Sequence, residues 1–154
     1  MKFTNKIGLA KISSIRALVL QTTAVALLAP MSVSAGVVVV VGAKSPAAKL
    51  GSEQAAQLYL GKAATLPGAG DVQLVDQSEG SAIRDTFYSK VVGKTPTQVK
   101  AIWSRLAFSG TARPPKEVAS AADVKRAVSA DPNAVGYIDS SEVDASVKVV
   151  LSVD

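Results

Sequence analysis

Neither cysteine nor histidine occurs among the 154 residues of the chain. Without cysteine there can be no disulfide and no thiol chemistry, so packing alone must hold the fold. Without histidine, the commonest general base and the commonest metal ligand are both missing. The aspartates and glutamates are scattered, with no paired-acid or metal-ligand spacing, and no nucleophile stands beside a base. These absences argue against an enzyme and imply no cofactor.

The first 35 residues lack any acidic residue. Lys2, Lys6, Lys11 and Arg16 make a basic leader, followed by an apolar run from Ala17 to Ala29 interrupted only by Gln21, Thr22 and Thr23. Pro30 breaks any helix, and Val33-Ser34-Ala35 offers small residues where a signal peptidase reads. The pattern predicts a secretory signal peptide over residues 1–35, cleaved between Ala35 and Gly36. The apolar run is shorter than the roughly 20 residues that span a bilayer, which argues against a retained anchor or any stable membrane insertion after cleavage. The leader holds four of the 17 basic residues and none of the 12 acidic ones, leaving 13 and 12 in residues 36–154, a net charge of +1. The pI of 9.6 thus reflects mainly the leader, and nothing in the charge points to nucleic acid.

What remains, 119 residues from Gly36 to Asp154, suffices for one domain with its own core. Five consecutive valines, Val37 to Val41, predict a strand buried on both faces, as in a sheet covered by helices. Ser52 is placed to cap a short helix through Leu60 that Gly61 ends, and residues 62–71 read as a loop. Val72 to Val75 reads as a second strand. Ser81 opens a helix with Ile83, Phe87 and Val91 on its inward face, and Gly93 stops it. The next helix carries a full start signal, with Thr95 as cap, Pro96 at its first position and Gln98 completing a capping box. Val99, Ile102, Trp103 and Leu106 form its apolar stripe, so Trp103 reads as core; Tyr59 and Tyr137 read as core-edge residues. After the loop Ser109 to Pro115, Ser120 with Asp123 starts a last helix. Val135 to Ile138 and Val147 to Val153 read as strands. The order β-α-β-α-α-α-β-β predicts an α/β fold, a mixed sheet covered by helices.

The junction from Ser78 to Arg84 is the one place where polar groups converge. A strand end, a small turn and a helix start leave backbone N–H groups unpaired and aimed at one region. Gly80 permits close approach, Ser81 supplies a hydroxyl, and Arg84 presents a fork shaped for phosphate or carboxylate. Equally, Ser81 reads as an N-cap and Arg84 as the partner of Asp85, Glu79 or a loop carbonyl. Glu79 repels a fully ionised oxyanion but accepts a hydrogen bond from a protonated one such as hydrogen phosphate, or it is a solvated turn residue. Arg113, in a loop stiffened by Pro114 and Pro115, is a second candidate clamp or a solvated loop arginine.

Six landmarks follow one another along the chain: the valine strand with Lys44-Ser45-Pro46; Leu58-Tyr59-Leu60-Gly61-Lys62; Glu79-Gly80-Ser81 before a helix containing Phe87; Trp103; Phe108 to Pro115; and Asp131 through Ile138. In this order they resemble the short group of bacterial phosphate transporter substrate-binding proteins. The resemblance implies one lobe of a periplasmic-binding-protein-like fold, a periplasmic location and a phosphate ligand or related oxyanion. On it, Ser78, Glu79, Gly80, Ser81 and Arg84 would form the binding site, and an inner-membrane transporter or sensor would be the partner. The family's phosphate motif runs arginine, any residue, aspartate, glycine, serine, glycine, threonine. Here Glu79, Gly80 and Ser81 match its centre, while Gln77, Ala82 and Ile83 replace the arginine, the second glycine and the threonine. A lobe that has lost the ion and docks on an envelope sensor or transporter ectodomain is the alternative reading.

Overall fold

The computed structural model describes residues 36–153, so the predicted leader lies outside the described residues. Its centre is strand β1 (Val37–Gly42), every residue of which is buried. The two faces of the valine run feed two separate cores. Val37, Val39 and Val41 pack into the larger, while Val38 and Val40 pack into the smaller. That division explains why the run carries no polar alternation.

Five strands form a mixed sheet in the order β5-β4-β6-β1-β7. Strand β4 (Gln73–Gln77) lies parallel to β5 (Lys116–Val118) on one side and to β6 (Ala134–Asp139) on the other. Strand β1 runs antiparallel to β6 and to β7 (Val147–Val153), with a register shift against β7 between Val39 and Val40. A small hairpin, β2 (Thr65–Leu66) with β3 (Gly70–Asp71), falls where the sequence reads as loop.

Helices cover both faces. The larger core lies beneath α1 (Ser52–Tyr59), α2 (Ala82–Phe87) with its π-helical extension Tyr88–Val92, and α3 (Pro96–Phe108). The smaller lies beneath α4 (Ala121–Ala130), whose Val124 and Val128 are fully buried. This helix sits so close to the sheet that a Cβ on Gly136 would come within 2.5 Å of Val124 Cγ1. Only glycine leaves that space.

The helix starts at Ser81, Thr95 and Ser120 form as expected, each side chain accepting a backbone N–H three residues on. At α1 the cap is Gly51, not Ser52: Gly51 N donates to Gln54 Oε1 at 2.9 Å, and Ser52 becomes the first helical residue. Strand β5 was not legible either, because Lys116 and Glu117 carry no apolar pattern and the strand exists only by pairing with β4. Tyr59 and Tyr137, expected at the core edge, are completely buried. Phe87 stacks on Tyr137 with centroids 4.0 Å apart, and Tyr59 meets Phe87 edge-on at 4.7 Å.

Candidate functional site

Strand β4 ends at the point where the chain first turns outward to α2 and later returns through β5 and α4 to the opposite neighbour, β6. Such a switch between neighbours opens a crevice at the carboxyl ends of the strands. The turn Ser78–Ser81 occupies this position. Gly80 makes it with φ +87°, a backbone angle that disfavours other residues.

Within the turn, several predicted donors are committed internally. Ser78 N–H donates to Val118 O at 2.9 Å, and Ser81 N–H donates to Ser78 O at 3.2 Å. Ser81 Oγ donates to Gln77 Oε1 at 2.8 Å and accepts the N–H of Arg84. Gln77 stands where the family motif has arginine, and it is a buried strand residue: its Nε2 donates to Tyr137 O at 3.0 Å. The N–H groups of Gly80, Ala82 and Ile83 have no partner among the described residues.

Arg84, on α2, is buried, 7% exposed. Its Nε donates to Asp76 Oδ2 at 3.3 Å, and its Cζ lies 5.4 Å from the centre of the Tyr88 ring. The partner is none of those considered from the sequence, because Asp76 is a strand residue that only folding brings near. Asp76 also accepts the hydroxyls of Tyr88, at 2.6 Å, and Tyr137, together with the N–H of Gln77. A buried carboxylate is tolerable only when its oxygens are satisfied in this way.

The electrostatics follow from that arrangement. Burial is the largest single influence and works against the charge of Arg84, but Asp76, Tyr88 and Tyr137 together hold the guanidinium above its usual pKa. Burial, reinforced by the charge of Asp76, pushes the phenols of Tyr59, Tyr88 and Tyr137 well above their ordinary value.

By hydrogen-bond geometry Arg84 uses only Nε; its two Nη groups make no hydrogen bond among the described residues. The residue borders a groove of about 290 Å³ that Glu79, Gly80 and Lys100 also line, and a second of about 260 Å³ toward Trp103. Lys100, from the exposed face of α3, is an element that sequence reasoning missed. It reaches Glu79 Oε1 at 2.6 Å, and this hydrogen bond and charge hold the Glu79 carboxyl below its ordinary pKa. Its position one turn beyond the Pro96 helix start was visible in the sequence, but its proximity to Glu79 was not. Of the five predicted residues, Glu79, Gly80 and Arg84 therefore share one groove, while Ser78 and Ser81 build the turn behind it. No groups of three or more potential metal ligands occur among the described residues.

The comparison with solved structures bears on the fold. A phosphate ABC transporter substrate-binding protein from Clostridium perfringens, with bound phosphate, superposes with a TM-score of 0.61 at 23% identity. The chain shares the fold of phosphate transporter substrate-binding proteins. An ABC-type phosphate transport receptor from Vibrio cholerae gives 0.59 at 23% identity, and PstS from Borrelia burgdorferi 0.56 at 11%. Each match covers 75% of this chain but only 44–46% of the neighbour, so the chain spans less than half of their length. No protein-family model and no curated protein matches the sequence. The α/β class expected from the residues, and the binding-protein-like fold that the resemblance implied, are thus observed. No helix among the described residues is long and apolar enough to cross a membrane.

Proposed function

We propose that the chain is a non-catalytic, periplasmic solute-binding lobe, exported by its leader, that holds phosphate or a related oxyanion at the turn after β4 in connection with phosphate uptake or sensing. The observation that carries this reading is the free guanidinium edge of Arg84 beside Gly80 and Lys100 in one groove. An oxyanion there meets a planar fork and the Lys100 ammonium, which also pairs with Glu79, both charge-assisted donors. Glu79 and Asp85 line the same groove and act as a filter. A hydrogen phosphate donates its own proton to a carboxylate, whereas sulfate has none to donate and is repelled. The Ser78 and Ser81 contacts hold the turn in shape. The open groove implies weak binding, because water screens each contact.

Calorimetry of the purified chain with phosphate and with sulfate tests this. Phosphate should bind with a millimolar or tighter constant and sulfate more weakly, by about tenfold. Lys100→Met should weaken phosphate by about tenfold while leaving the melting temperature unchanged, since an exposed pair contributes little to stability. No saturable heat with phosphate, or equal affinity for sulfate, would refute the assignment.

One observation favours the docking alternative: Phe108, at the end of α3, is 97% exposed. A photo-crosslinker at position 108 should trap an envelope sensor or transporter ectodomain if that reading holds, and phosphate should then give no heat.

A further inference from the structure

Arg113, read from the sequence as either a candidate clamp or a solvated loop arginine, does not line the groove at the turn after β4. It borders a separate groove of about 290 Å³ at the opposite, amino-terminal end of that strand. Val72, Leu74, Trp103 and Pro114 supply apolar wall, and Arg113 and Lys116 stand at its edge. This groove meets the one toward Trp103 at Trp103 and Pro114 but shares neither Arg84 nor Lys100 with it, and it shares no residue with the groove at the turn.

Charge sets this groove apart from those beside Arg84. None of its lining residues is acidic, whereas the grooves beside Arg84 contain carboxylates. Neither Arg113 nor Lys116 forms an ion pair among the described residues. The wider sequence context has the same sign: from Thr86 to Lys116 there are six basic residues and no acidic one. Two unneutralised cations beside an apolar wall favour a ligand with an apolar body and an anionic end. The volume lies near the lower end of ligand pockets, which limits the body to about the size of one ring. Pro114 and Pro115 restrict the loop that carries Arg113, so little ordering is lost on binding.

The geometry points to a second binding site, independent of the oxyanion reading, in which Arg113 and Lys116 hold the carboxylate of a small amphipathic acid against the Val72–Trp103–Pro114 wall. Trp103 is the only tryptophan of the chain, so its emission reports occupancy. Titration of the full chain with phenylpropionate should give a saturable change in that emission and shifts in the backbone amide resonances of Gln73 and Ala112. Phenylpropanamide, matched in shape but neutral, should bind at least about tenfold more weakly. The double variant Arg113→Gln, Lys116→Gln should lose a similar factor with an unchanged melting temperature, because both side chains are exposed. Lys100→Met, which tests the other grooves, should leave phenylpropionate affinity unchanged. Equal binding of acid and amide, an unaffected double variant, a loss with Lys100→Met, or no saturable change in either signal each overturns the proposal.

Discussion

Raising the pH is a direct probe of the buried polar network beneath the turn, because all three tyrosines of the chain lie around it. Tyr88 and Tyr137 donate to Asp76, and Tyr59 donates to Val75 O at 2.9 Å. Burial and the neighbouring carboxylate raise all three phenol pKa values in the folded state. In the unfolded chain they titrate at about 10. Below that pH the tyrosines are protonated in both states, and the raised values leave stability untouched. Above it the unfolded chain releases protons that the folded chain keeps, so stability falls as pH rises. Each tyrosine removes about 1.4 kcal/mol per pH unit, and three together about 4 kcal/mol per unit. Against a total stability of about 5–15 kcal/mol, unfolding is expected about one to four units above pH 10. Tyrosinate absorbance and far-ultraviolet circular dichroism, followed in one titration, should change together in a single cooperative step releasing about three protons. Independent ionisation of the tyrosines near pH 10, with the dichroism still native, would refute the argument and show the network open to water.

Arg84→Met should destabilise the fold by about 2–4 kcal/mol in urea unfolding, since it leaves a buried carboxylate without its cation. The hydroxyls of Tyr88 and Tyr137 and the N–H of Gln77 still solvate Asp76 and place the loss below the upper end of that class. A change under about 0.5 kcal/mol would mean that Asp76 does not need the pair. Gly136→Ala should cost about 1–3 kcal/mol, because its Cβ would overlap Val124 Cγ1. Val124→Ala in the same chain should recover part of that loss, and strict additivity of the two would argue against the close approach of α4 to β6.

Local chemistry made much of the fold legible. The Thr95-Pro96-Gln98 start of α3 and the Ser120 cap of α4 each rest on hydrogen bonds spanning three residues, so sequence spacing alone sufficed to locate them. The valine run likewise announced a doubly buried strand by its composition. Three features were not legible, and each depends on long-range pairing. Strand β5 exists because β4 offers it an edge. The β2–β3 hairpin is held by two facing pairs of residues, too few to print a pattern. The place of Arg84 depends on Asp76, eight residues earlier on another element.

The turn after β4 shows the same division. Its glycine, its capping serine and its oxyanion-like composition are properties of neighbouring residues, and the chain declares them directly. Which donors remain available is a matter of contacts across the sheet. Tyrosines 88 and 137 meet the Asp76 carboxylate, the Arg84 Nε joins them, and Lys100 arrives from the next helix to bind Glu79. Sequence alone determined where a strand, a turn and a helix succeed one another. Only tertiary structure decided that Arg84 turns one edge inward to a buried charge and leaves the other toward a groove, because a guanidinium takes its orientation from the carboxylate that folding brings to it.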